Sequence, residues 1–229
     1  MTPTLIYCAD GNARFAQIAI EAGFKYGAQL PNTVYHPIYF ADQNWKKPDR
    51  EKYMVALAKH KPHMATVLDW EQEEQLPEIL RWAEEAAQFV EKVAIVPKVI
   101  GGISMIPEHI ASKPVVLAYS MPTKFGGSSV PLWEFGRRPV HLLGGSPHRQ
   151  MELSRYLNVS STDGNYMLKM AILGCQFWEN STTVYRRGRW WPSLREVGWT
   201  DRDAPYEAFR RSCENIMAAW ADLPLFGEW

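Results

Sequence analysis

The sequence predicts an α/β fold of the TIM-like (β/α)8 barrel kind, with a Trp- and Arg-rich C-terminal appendage. Short apolar runs alternate with helix-period segments at least six times. That is the pattern of a parallel sheet wrapped by helices. Seven strands are legible in 229 residues, a little short of the roughly 250 that such barrels usually occupy. An open, doubly wound sheet is the alternative. Polar residues fall where the runs end, at Asp10, Asp69, Lys98, Ser120 and Asp163. Ligands gather at that end of a parallel sheet.

Thr4–Ala9 is the first strand, followed by Asp10-Gly11-Asn12 and a helix over Ala13–Ala22 that stops at Gly23. Lys25–Leu30 is the second strand. Pro31–Lys47 has no helical period and carries Tyr35, His36, Phe40, Asp42 and Trp45; its length marks a functional loop rather than a connector. Pro48 opens a helix to about His60. Met64–Leu68 is a strand, ending at Asp69-Trp70-Glu71. A long Glu- and Ala-rich helix over about Glu74–Val90 leads to the strand Val93–Val96 and Pro97-Lys98. A short helical piece is expected near Pro107–Ala111, then the strand Val115–Tyr119.

After a loop over Met121–Phe135 comes the run Pro139–Leu143, which ends in Gly144-Gly145. Ser146 stands where a helix N-cap belongs, with Pro147 at the first helical position. Its helix, about His148–Tyr156, leads to a strand at Leu157–Ser161 and to Asp163-Gly164-Asn165. Helices over about Asn165–Gly174 and Tyr206–Ala221 complete the pattern. Residues 1–176 read as the barrel and 177–229 as an extension packed on it.

Composition narrows the function. The chain is 46% hydrophobic with zero formal net charge, so no overall field draws in a polyanion and any nucleic-acid contact must be local. No apolar run reaches the about 18 residues of a membrane span. The N-terminal residues carry no signal-peptide pattern. Cys8, Cys175 and Cys213 form no C-x-x-C pair, so neither zinc nor any other cofactor is expected, and reduced thiols point to the cytoplasm. The stretch Tyr185–Arg195 mixes Arg186, Arg187 and Arg189 with Trp190 and Trp191. Cations neutralise phosphates and indoles stack on bases, which suits distorted or single-stranded nucleic acid; packing on the barrel is the alternative.

Asp69 directly follows an apolar run, where a carboxylate is hard to bury without a partner, so it reads as a site residue. Asp10 reads as a turn former. Asp163 suits either a turn or a site. His141 reads as a satisfied barrel-interior histidine. His36, among loop aromatics, is a candidate ligand contact, and Lys98 fits a site and a solvated loop equally.

On these residues the chain resembles the tRNA-guanine transglycosylase family. His141-Leu-Leu-Gly-Gly-Ser-Pro147 is similar to the family's H-L-[LM]-G-x-G-x-P segment, and Asp163 occupies the position of its nucleophile. Met64–Asp69, with Leu80-Arg-Trp-Ala83 behind it, resembles the strand whose Asp binds the purine edge. Phe40-Ala-Asp42 resembles the segment holding the second catalytic Asp. The resemblance spans roughly residues 25 to 175. The family's zinc site has no counterpart, and Pro97-Lys98 stands where the family carries Q-G-G.

Shortened relatives of this kind resemble the phage and bacterial DNA-guanine transglycosylases. The resemblance implies base exchange on nucleic acid, DNA rather than RNA, inserting guanine or a 7-deazaguanine. Asp163 would be the nucleophile and Asp42 the acid and base. Asp69 would read the base, while Trp70, Tyr35 or Phe40 stacks on it. Lys98, Ser120, Gly144, Gly145 and His36 complete the expected substrate-binding set. No cofactor is needed, and the oligomeric state is left open. A barrel hydrolase or lyase on a small metabolite, and a non-catalytic phage scaffold, are the competing readings.

Overall fold

The computed structural model describes residues 2–9, 12–122, 127–177 and 192–224. Asp10 and the whole candidate nucleic-acid set, Arg186, Arg187, Arg189, Trp190 and Trp191, lie outside the described residues. The chain forms a closed barrel of eight parallel strands. In order they are β1 (Thr4–Cys8), β2 (Lys25–Leu30), β3 (Phe40–Gln43), β4 (Met64–Thr66), β5 (Lys92–Ile95), β7 (Lys113–Ser120), β8 (Val140–Leu143) and β9 (Val159–Gly164). Each pairs in parallel with its neighbours. β5 pairs β7, and β9 returns to β1 with Ile6 opposite Asp163. The short β6 (His109–Ile110) lies antiparallel on β7.

Strand alternation sorts the core into two clusters. Ile6, Phe40, Met64, Ala94, Val96, Val116 and Ala118 pack together inside the barrel. The intervening residues, such as Leu5, Tyr7, Ala41, Ala65, Val93, Leu117 and Leu142, pack outward against helices. Those helices are α1 (Ala13–Glu21), α2 (Arg50–His60), α3 (Leu76–Ala86), α4 (Pro147–Leu153), α5 (Tyr166–Ile172) and α6 (Ala204–Ala221). Asn12 caps α1, Asp49 caps α2 and Ser146 caps α4, each accepting a backbone N–H from the first turn. The α6 helix buries Ala208, Phe209, Cys213, Ile216 and Trp220. Phe209 meets Tyr7 and Phe15 at ring distances of 5.1 and 4.9 Å. This part of the C-terminal extension therefore belongs to the shell around the barrel.

Three strand-to-strand connections, β2–β3, β5–β7 and β7–β8, hold no α-helix among the described residues. That economy lets eight strands close within a chain of 229 residues. Two sequence expectations are corrected. The long Pro31–Lys47 segment is not all loop: it contains β3, which carries Asp42. No helix forms at Pro107–Ala111. His109–Ile110 instead turns back onto Lys113-Pro114 through Ala111 and Ser112, both at positive φ (48° and 65°). Two such residues in succession match the twist of a tight hairpin.

Trp70 is fully buried in the outer core, and its Nε1–H donates to Gln72 O at 2.7 Å. Gly102 faces its ring so closely that an added Cβ would lie 2.4 Å from Cη2. A rigid, enclosed indole cannot step aside. Gly102→Ala should therefore destabilise the fold by about 1–3 kcal/mol in chemical denaturation. A loss below about 0.5 kcal/mol, the range of an ordinary surface substitution, would show that the contact gives way.

Candidate active site

The C-terminal ends of the strands carry the polar cluster. In β9, Asp163 follows Ser161 on the inward side, and in β8 His141 precedes Leu143. The loop after β8 turns at Gly144 and Gly145, with φ of 68° and 84°. That left-handed pair favours glycine. It also aims the Gly144 N–H at Asp163 Oδ1, 3.0 Å away. The Gln150 amide, one turn into α4, donates to Gly144 O and Asp163 O, both at 2.7 Å. Asp163 is thus fixed by the Gly-Gly turn and the helix that Ser146 caps.

Beneath it lies His141, which is wholly buried. Its Nδ1 sits 2.8 Å from Ser161 Oγ, its Nε2 3.4 Å from Asp163 Oδ1, and its ring 4.6 Å from that of Phe40. A lone pair on Nε2 would set two acceptors against each other. Nε2 itself is buried without a hydrogen bond among the described residues, the carboxylate lying 3.4 Å away, and Ser161 serves either as donor or as acceptor for Nδ1. The sequence reading of His141 as a satisfied interior histidine thus holds at Nδ1 only; Nε2 lies near the carboxylate without such a bond.

Asp42 sits opposite, in β3. Its Oδ1 accepts from Thr66 Oγ1 at 3.2 Å, and Thr66 Oγ1 in turn accepts the Gln43 N–H at 2.8 Å. From α2, Tyr53 donates to Thr66 O at 2.7 Å and Ala41 O at 3.2 Å, holding β3 to β4 from outside. Burial pushes the Asp42 carboxyl up to about 7, and the negative charges of Asp163 and Asp69 add to the rise. Hydrogen bonds from Thr66 and Gln29 oppose it. Asp163 and Asp69 therefore lie close enough to Asp42 at the barrel mouth for their charges to act on it.

Asp69 stands at the rim beside Lys98. Lys98 Nζ reaches Asp69 Oδ2 at 2.8 Å and Glu71 Oε1 at 2.7 Å, and the side chains of Lys98 and Asp69 are only 15% and 20% exposed. Burial outweighs the lysine at Asp69 and raises its pKa. Burial also works against the Lys98 ammonium, but its hydrogen bonds to the two acids prevail and raise its pKa.

The remaining sequence candidates separate. Ser120 ends β7 beside Leu143 of β8. Tyr35 is exposed, and His36 lies edge-on to Tyr26 with its Nε2 3.5 Å from Ala13 O. Trp70 has no exposed ring face to offer a base, so its expected stacking role is corrected to core packing. Thr66 and Gln29 join the site without having been singled out. Their signal was register: Gln29 is the strand partner of Asp42, and Thr66 falls two residues beyond Met64 on the inward side. Among the described residues no group of three or more His, Cys, Asp or Glu side chains is placed to hold a metal ion.

The chain belongs to the DUF6610 family, a family of unknown function, which it matches over residues 17–221. No curated protein matches it.

Two measurements probe this arrangement. The folded chain holds the Asp42 proton up to about pH 7, against 3.8 ordinarily. Folding therefore takes up a proton between these values, and stability falls as pH rises through that window. Asp42→Asn keeps an acceptor for Thr66 and removes the buried charge. Its gain over the parent chain should be on the order of 2–3 kcal/mol larger at about pH 8 than at about pH 5 in paired thermal melts, because at about pH 5 only the first part of that window has been crossed. Equal differences at both values would exclude a raised Asp42. For His141, nitrogen-15 NMR should show a proton on Nε2; an unprotonated Nε2 would mean that Asp163 is held without it.

Proposed function

We propose that the protein is a base-exchange glycosyltransferase of the guanine transglycosylase type, acting on nucleic acid and on DNA in preference to RNA. The observation that carries the reading is the meeting of Asp163, Asp42 and Asp69 at one barrel mouth. The resemblance of three sequence segments to that family supports it. So does the placement of two of those segments on neighbouring strands, β3 and β4.

The chemistry divides among the three acids. With Asp163 Oδ1 engaged by Gly144 and facing His141, Oδ2 attacks C1′ as the N-glycosidic bond breaks. The electron pair of that bond leaves on the base, and Asp42 gives the base a proton. The sugar is then held as an ester of Asp163. In the second half Asp42 takes the proton from an incoming guanine or 7-deazaguanine, whose nitrogen displaces Asp163 from C1′. A carboxyl with a pKa of about 7 suits both transfers at neutral pH. Asp69 accepts N–H groups of the base edge, with Lys98 fixing its other oxygen.

The target base must leave its stack to reach this depth. The Arg- and Trp-rich segment around Arg186–Trp191 would hold the strand. Reduced thiols support a cytoplasmic setting, and no helix among the described residues is long and apolar enough to cross a membrane.

Asp163→Asn keeps the acceptor for the Gly144 N–H, so the fold should survive while the anionic nucleophile is lost. Incorporation of labelled guanine or 7-deazaguanine into DNA, with RNA in parallel, should fall on the order of 10⁴–10⁶-fold. Asp69→Asn should act mainly on recognition of the base, because it places a donor where an acceptor is needed. No exchange by the parent chain in either polymer, or full activity in Asp163→Asn, would sink the proposal and favour a small-metabolite enzyme or a scaffold.

A further inference from the structure

The opposite end of the barrel holds a second cavity, of about 590 Å³, within the range of small-molecule sites. Its walls come from the N-terminal ends of several strands: Lys25 of β2, Pro37–Tyr39 before β3, Lys61–His63 before β4, Gln88–Glu91 before β5 and Lys113 of β7. Three lysines from three separated segments thus face one space, against a single carboxylate, Glu91. Glu91 is already held by Lys113 at 3.0 Å. Lys25 and Lys61 have no ion-pair partner among the described residues.

Two further features single the cavity out. Lys61 itself sits in the left-handed region (φ 46°) at the C-terminal end of α2. Glycine or asparagine takes that position most easily, so a lysine there carries strain. His63 stacks on Tyr39 at 4.6 Å between ring centres. Burial and then the charge of Lys92 hold its imidazole below the usual range, with Glu91 opposing.

We propose that this cavity is a binding site for a small phosphate ester, distinct from the carboxylate mouth at the other end of the barrel. Lys25 and Lys61 bind the phosphate oxygens as point charges. Lys113 shifts its weight between Glu91 and the ligand. Pro37, Pro62, Phe89 and the Tyr39–His63 pair line the part that receives the organic half. The nearly neutral chain has no general attraction for anions, so binding here reports local convergence rather than bulk charge.

The test is calorimetric titration of the whole chain with inorganic pyrophosphate and with adenosine monophosphate, at low and at physiological ionic strength. Saturable binding of at least one probe is expected, weakening as salt rises. The double variant Lys25→Gln, Lys61→Gln should bind at least about tenfold more weakly, or roughly 1.4 kcal/mol. Asp163→Asn should bind as the parent does, which keeps this site's fate apart from that of the proposed exchange reaction. The His63 ring signals should move with the probe in NMR. Absence of saturable binding by both probes, unchanged affinity in the double variant, or unmoved His63 signals would each overturn the site and leave solvated surface lysines.

Discussion

A closed barrel cannot leave its mouth as dry as its middle, and this one sets charged acids where hydrocarbon stops. Below, Phe40, Met64, Ala94, Val116 and Ala118 fill the interior. One residue further along the same strands, counted by twos, stand Asp42 and Thr66. Burying a lone carboxylate is strongly unfavourable, and placing it near two others is worse. The barrel answers with donors rather than with a counter-ion at Asp42: Thr66 and Gln29 reach it, and its proton stays on until about pH 7. Asp69 is treated differently, with the Lys98 ammonium beside it. Asp163 accepts a backbone N–H and lies 3.4 Å from the His141 Nε2. Three identical side chains thus acquire three environments, the separation that the proposed acid, base and anionic roles would need.

The turn that holds Asp163 explains why the segment from Val140 to Gly164 forms such a tight unit. Gly145 approaches Met121 so closely that an added Cβ would lie 2.7 Å from Cε. The loop after β8 is therefore pressed against the loop after β7. Gln150 then ties the turn and β9 together from the first helical turns of α4. Its amide meets the carbonyls of Gly144 and Asp163, so one side chain ties the turn to the strand that carries the carboxylate. The histidine below rests on Phe40 of β3. Through this ring the Asp163 side of the mouth touches the strand that carries Asp42.

Much of this was legible in the sequence, for reasons tied to particular residues. Ser146 followed by Pro147 marks a helix start by cap chemistry alone, and α4 begins there. The Met64–Leu68 run and the Asp after it place Asp69 at a strand end without any tertiary information. Strand β3 was hidden because it is four residues long and flanked by turn formers and aromatics; its pairing with β2 and β4, not its own pattern, makes it a strand. The β6–β7 hairpin was hidden because Ala111 and Ser112 carry none of the glycine or asparagine that usually marks such a turn. Trp70 misled for the opposite reason. An indole next to a site carboxylate suggests stacking, but the next strand position points to the other face of the sheet, into the helices.

The same alternation bears on how the two ends of the barrel differ. At the C-terminal end Asp42, Thr66, His141 and Asp163 project from the strands themselves, so their positions are fixed by the sheet and by Tyr53 bracing β3 and β4 from α2. At the N-terminal end Lys61 and His63 belong to the short turn between α2 and β4, and their backbone is set by a left-handed residue and by Glu91 and Lys92 N–H groups donating to His63 O at 3.0 Å. One end therefore holds its acids in a braced arrangement, which the proposed proton exchange with a shared substrate would require. The other offers long, flexible cations, Lys61 on an anchored turn and Lys25 and Lys113 at strand starts. Such groups suit the proposed anion without demanding one geometry of it, so the two proposals place separate demands on the two ends of the barrel.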